Sequence, residues 1–216
     1  MSKLYLSVLL NVVIPSLILI FGKGTTGVFL IALAFPIMYG IWSFVTEKKT
    51  NFISIIGFVA ILLTGGVGLL KLDNQWIVVK EAGIPLLIGL IILFTQWIKK
   101  PFVRGLFKEV IDLKRIDEEF KKRGRPGDFE EQLVYTSYFL AGAFFVSAVL
   151  NYVLAKIIIV SPTGTEAFNQ ELGKMTALSF PVIAVPMFII LFFILYYLMS
   201  SIKKHTNLEI EDLIKK

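Results

Sequence analysis

The sequence predicts an all-α polytopic membrane bundle, and three observations predict it. The 216 residues are 56% hydrophobic, whereas soluble domains lie nearer about 45–50%. The mean hydropathy is +0.78. The apolar residues gather into runs long enough to cross a hydrocarbon core of about 30 Å as helices. Short charged clusters separate the runs.

Taken in chain order, the runs give six spans at about 4–21, 26–45, 52–70, 82–98, 133–159 and 177–202, within a single transmembrane domain covering 1–216. The first run ends at Gly22 and Lys23 with no small-x-small site, so it reads as a retained span. Glu47, Lys48 and Lys49 separate the second span from the third. Lys71, Asp73, Asn74 and Gln75 separate the third from the fourth. A polar stretch at 161–176 reads as the connection into the sixth.

Alternating the sides places 17 of the 22 Lys and Arg residues on one face of the membrane. Cytoplasmic loops carry the excess of cations. Both termini, the 99–132 segment and the tail 203–216 are therefore expected in the cytoplasm. Trp42, Trp76, Trp97, Tyr135 and Tyr197 fall at span ends, where amphipathic rings favour the headgroup level. The net charge of +6 reads as topology rather than nucleic-acid binding.

Between the fourth and fifth spans, Phe102, Val103, Leu106, Phe107, Val110, Leu113 and Phe120 recur mostly at spacings of three and four. That pattern predicts one cytoplasmic amphipathic helix over 102–122, ended by the basic turn at 121–127. Its stripe must bury in lipid, in the protein or in a partner. Thr206 and Glu209 form a capping-box pattern ahead of a short tail helix.

The chemistry classes thin out quickly. There is no cysteine, and His205 is the only histidine, beside Lys203 and Lys204. It reads as a solvated juxtamembrane group. No acid pair lies within a span, so no catalytic residue, metal site or cofactor is expected. Glu130 and Glu131 read as favourable charges at the start of the fifth helix.

Uncharged polar residues inside spans need partners in a low-dielectric medium. Interhelical bonding is the plain reading. The sharper one is a polar cleft around Asn11 and Tyr39, with Pro15, Pro36, Gln96 and Asn151 as its other candidates. Lys80 and Glu81, at the outer entry of the fourth span, read either as a cap and anchor for that helix or as a gate on a pathway. Gly65, Gly66 and Gly68 permit close helix approach. Ile14-Pro15 and Ile84-Pro85 hint at an inverted repeat of three-span halves.

The runs NVVIPSLIL (11–19) and FPIMYG (35–40), the stretch 49–102 with KEAGIPLLIGLIILFTQWIKKPF at its end, and SSIKKHTNLEIEDLI (200–214) resemble an uncharacterised family of bacterial multi-pass inner-membrane proteins. That family is similar to the intracellular septation protein A family. The septation likeness covers about the second to fourth spans and rests on the lysine cluster joining two apolar runs, the Trp-bearing outer loop and QWIKKP (96–101). The last two spans depart from it. The resemblance implies a bacterial cytoplasmic-membrane protein linked to envelope integrity or division, with no catalytic residues to carry over. It points to Asn11, Pro15, Pro36, Tyr39, Lys80, Glu81, Lys99, Lys100 and Pro101 as positions to test.

Two functions stay open at this point. One is a non-enzymatic envelope or division-associated protein, in contact with anionic lipid headgroups and with division or envelope proteins. The other is a small transporter or flippase for a lipid or other amphiphile, working as a homodimer.

Overall fold

The computed structural model describes residues 8–47, 52–98, 101–107 and 111–206, without the side chains of Ser43, Glu47 and 52–58. The described residues form helices α1 (Ile14–Phe21), α2 (Thr26–Glu47), α3 (Phe52–Leu69), α4 (Gln75–Trp97), α5 (Phe102–Phe107), α6 (Leu113–Lys122), α7 (Asp128–Ile158), α8 (Glu166–Ser179) and α9 (Val185–Thr206). A π-turn, Leu9–Val13, leads into α1, and a second, Phe180–Ala184, joins α8 to α9.

Four stretches among the described residues are long and apolar enough to cross a membrane: Thr26–Thr46, Gln75–Trp97, Asp128–Ile158 and Glu166–Thr206. Leu9–Phe21 and Val59–Leu69 are apolar but shorter. Trp42, Trp76, Trp97, Tyr135 and Tyr197 are all exposed, as rings facing headgroups would be.

Three boundaries differ from the sequence expectation. Helix α4 begins at Gln75 rather than near Ala82. The charged pair Lys80–Glu81 neutralises itself inside the helix instead of ending it. Helix α7 begins at Asp128, five residues before Leu133. Asp128, Glu130 and Glu131 occupy its first turn, where the helix dipole favours negative charge. The polar stretch 161–176 is not all loop. The Thr165 hydroxyl accepts a bond from the Phe168 amide at 3.1 Å and starts α8 at Glu166. Phe168, Leu172 and Met175 then form a buried stripe.

The Cα framework divides into two compact units. The first comprises 1–84 and 148–185, and the second 85–147 and 186–216.

In the first unit, α8 packs on α1, α1 on α2, and α2 on α3. Its three loops are laced together. Asn169, which is 1% exposed, donates to the Thr25 carbonyl at 2.8 Å. Glu166 accepts from the Gly24 amide at 3.2 Å. Asn74 donates to the Ser161 carbonyl at 3.0 Å, and Thr163 to the Leu72 carbonyl at 2.5 Å. The turns that end α1, α3 and α7 thus gather at one end of this unit, as a chain that reverses direction at each crossing requires.

Close approach between α2 and α3 depends on glycine. A Cβ on Gly68 would overlap the ring of Phe29, and one on Gly65 would meet Leu33, whereas Gly66 faces open space. Overpacking costs about 1–3 kcal/mol. Gly68→Val is therefore expected to destabilise the protein by about that amount while Gly66→Ala changes little, as read from reversible unfolding in mixed micelles.

In the second unit the apolar stripe of 102–122 is buried within the protein. Val103, Ile111, Leu113, Ile116 and Phe120 share one cluster with Ile92, Phe129, Leu133, Leu140, Ala141, Leu198 and Ile202. Leu106 is the exception, at 44% exposed. The stripe belongs to two helices rather than one. Asp112 leaves helical geometry and its carboxylate accepts from the Arg115 amide at 3.2 Å, capping α6. Ile111 before the cap and Ile116 after it are both buried, a hydrophobic staple. Val110 and the tail pattern Thr206–Glu209 with its apolar residues lie partly or wholly outside the described residues. Thr206 itself ends α9, its hydroxyl donating to the Ile202 carbonyl at 2.7 Å.

Candidate functional site

A charged residue inside an apolar helix is costly unless paired, so the first place to look is the start of α4. At 1.5 Å per residue, Lys80 lies roughly 7–8 Å beyond the helix start. Its side chain is 9% exposed and that of Glu81 is 22% exposed, with Nζ 2.5 Å from Glu81 Oε1. The same Nζ donates to Thr64 Oγ1 at 2.7 Å. Thr64 in turn donates to the Ala60 carbonyl of its own helix at 3.0 Å. The ammonium therefore ties α4 to α3 through a charge-assisted bond. Lys80 and Glu81 act neither as helix caps nor as surface charges.

The remaining membrane-edge candidates are placed unevenly. Pro101 is buried. Lys99 and Lys100 lie outside the described residues.

The candidates for a polar cleft fall in both units. Asn11, Pro15, Pro36, Tyr39 and Asn151 belong to the first unit, whereas Gln96 belongs to the second. Pro15 and Pro36 are buried, and Asn11, Tyr39 and Asn151 are half-buried. Tyr39 packs its ring on Trp42 at 5.8 Å. Gln96 donates to the Ile92 carbonyl at 3.3 Å and to Thr95 Oγ1 at 3.2 Å, while its amide oxygen is buried without a partner among the described residues. A separate small cavity in the first unit, lined in part by Thr25, Phe29, Gly68 and Asn169, measures about 10 Å³. That volume holds about one water molecule.

Asn169 and Glu171 were not singled out from the sequence, because they sit in the polar stretch between the fifth and sixth spans. Glu171 accepts from the amides of Val160 and Ser161 at 3.0 and 2.9 Å and from Ser161 Oγ at 2.6 Å. The signal that could have found them was Thr165, an N-cap residue followed by Phe168 and Leu172.

On the second unit, much of the basic surface is internally paired. Lys121 meets Asp117 at 2.8 Å, Lys122 meets Glu119 at 2.6 Å, and Arg125 meets Asp128 at 2.6 Å. The Lys122 hydrogen bond holds the Glu119 carboxyl below its usual range. Arg104 pairs with Glu130 at 2.5 Å. His205 is not a freely solvated group. Its Nδ1 lies 2.8 Å from the Ser201 carbonyl oxygen and its ring centre 5.9 Å from that of Phe120. Packing of α6 against the end of α9 draws it in.

A sequence model of the intracellular septation protein A family matches residues 10–118. The chain belongs to the intracellular septation protein A family. The match takes in α1–α5 and all but the end of α6, with Thr64, Lys80 and Glu81 inside it, and leaves α7–α9 outside. Among curated relatives, the inner membrane-spanning protein YciB of Rickettsia rickettsii is 28% identical over 111 residues, and those of Rickettsia felis and Rickettsia akari are 27% and 26% identical. Each alignment covers 51% of this chain and 53% of the relative. The chain thus spans about half the length of the curated relatives it matches. No solved structure matches it. Family and apolar helices together make the chain a multi-pass inner-membrane protein.

Proposed function

We propose that the chain is a non-enzymatic inner-membrane component that supports the cell envelope or its division through helix–helix contacts, with its basic loops and both termini in the cytoplasm. The family match over 10–118 carries this reading. The polar groups of that region support it. The bonds of Lys80 to Thr64 and Glu81 favour a role in holding helices together, and the cavity beside Gly68 is of water size. A carrier for a lipid or other amphiphile would need a polar passage of headgroup size and has less support.

Partners in this reading are envelope or division proteins and the anionic headgroups of the inner leaflet. Each well-placed Lys or Arg attracts such headgroups by about 1 kcal/mol. Internal pairing of Lys121, Lys122 and Arg125 reduces how many are available.

Deleting the gene in its host tests the reading. Cells are expected to lengthen or to lose resistance to osmotic shock, and the intact chain is expected to restore both. Unchanged length and resistance on deletion would remove the reading.

A further inference from the structure

Helices α1 and α8 form an antiparallel pair. Asn169, near the start of α8, bonds Thr25 just beyond the end of α1. One turn along α8, a Cβ on Gly173 would come within 2.8 Å of Leu19 Cβ and 2.9 Å of the Ser16 carbonyl. The first π-turn precedes α1 and also touches α8, and the second continues directly from α8. Both π-turns therefore lie at the same end of one packed pair, opposite the laced loops.

Each π-turn closes immediately before a proline. The Ile14 amide bonds the Leu9 carbonyl ahead of Pro15, and the Val185 amide bonds the Phe180 carbonyl ahead of Pro186. Proline has no N–H and its ring presses on the preceding turn, and a widened turn relieves that pressure. Proline alone does not force this geometry, because Pro36 and Pro85 sit inside α2 and α4 without a π-turn. Pro15 and Pro186 thus share a local geometry that Pro85 lacks.

A second observation concerns Ser16, which follows the first turn. Thr64, Thr136, Ser137 and Thr176 each donate to the carbonyl four residues earlier. Ser16 does not. Its hydroxyl is buried, 4% exposed, and has no partner among the described residues. The carbonyl it would reach belongs to Val12, inside the π-turn. A buried unpaired hydroxyl is a reservoir of strain, and closing the turn to α-helical register would offer it that carbonyl.

We propose that the two π-turns form a coupled conformational device: each can release its surplus residue and close, and their shared contact with α8 makes them change together. Hydrogen exchange of the full chain in lipid nanodiscs tests it. Segments 9–16 and 180–187 are expected to exchange about tenfold faster than segment 82–89 around Pro85, as locally opening elements do. Pro15→Ala, which restores an N–H, is expected to slow both segments by about tenfold. Ser16→Ala, a small change that removes both the closed-state bond and the unpaired hydroxyl of the π-turn, tips the balance toward the π-turn and is expected to speed both. Exchange no faster than in the α4 segment, or a variant that alters only its own segment, would overturn the proposal.

Discussion

Lys80→Met is expected to cost about 3–5 kcal/mol of stability. The substitution preserves the length of the side chain but leaves the Glu81 carboxylate, 22% exposed, without its cation. It also leaves Thr64 Oγ1 without its donor. Breaking a buried ion pair from one side is strongly destabilising because the surviving charge stays desolvated. Replacing both members by apolar residues of similar volume is close to neutral in many proteins. Lys80→Met combined with Glu81→Met is therefore expected to recover most of the loss, leaving a deficit of about 1 kcal/mol or less. Reversible unfolding in mixed micelles gives both values and their coupling. A neutral single variant would mean that water screens the pair and that α4 is not in the membrane at Lys80. The double variant also separates structure from function. If it folds and reverses the deletion phenotype, the pair is a fastener between α3 and α4. If it folds and fails to reverse it, the pair does more than hold helices.

Phe120→Ala carries an effect of similar size in the second unit. Phe120 is 0% exposed, with ring centres 5.8 Å from Phe129 and 5.9 Å from His205. It joins α6 to α7 and α9. Deleting a buried phenyl ring costs about 3–5 kcal/mol, made up of lost transfer free energy and a residual cavity. Leu106→Ala, on the exposed side of the same amphipathic segment, is expected to change stability by about 0.5 kcal/mol or less. Equal losses at the two positions would mean that the segment is not packed on the protein as described.

What the sequence made legible follows from which force dominates locally. Apolar runs located the spanning helices because bilayer burial overrides finer detail. The same logic failed at Lys80–Glu81, where hydropathy counts two charges but cannot register that they cancel. It failed again at Glu166–Lys174, where the polar residues serve loop lacing on one face while Phe168, Leu172 and Met175 bury the other. The amphipathic stripe over 102–122 was visible as periodicity. Its break was not, although Asp112 between Ile111 and Ile116 carried the cap-and-staple signature. The π-turns had no signal beyond Pro15, Pro181 and Pro186 themselves, since Pro36 and Pro85 sit in similar apolar runs without one. Nothing in the sequence tied Lys80 to Thr64, because a bond spanning 16 residues between two helices depends on their relative rotation.

Membrane topology underlies the whole account, and the absence of native cysteine makes it directly measurable. Single cysteines at Lys23, Asp73 and Pro162 occupy the three turns laced in the first unit, and cysteines at Arg123 and Asn207 report the basic side. A membrane-impermeant maleimide applied to intact cells is expected to label Lys23→Cys, Asp73→Cys and Pro162→Cys. It is expected to reach Arg123→Cys and Asn207→Cys only after the membrane is opened. Labelling of Asn207→Cys from outside would mean an odd number of crossings, and labelling of Arg123→Cys from outside would put the basic segment on the wrong face. Either result would contradict the account.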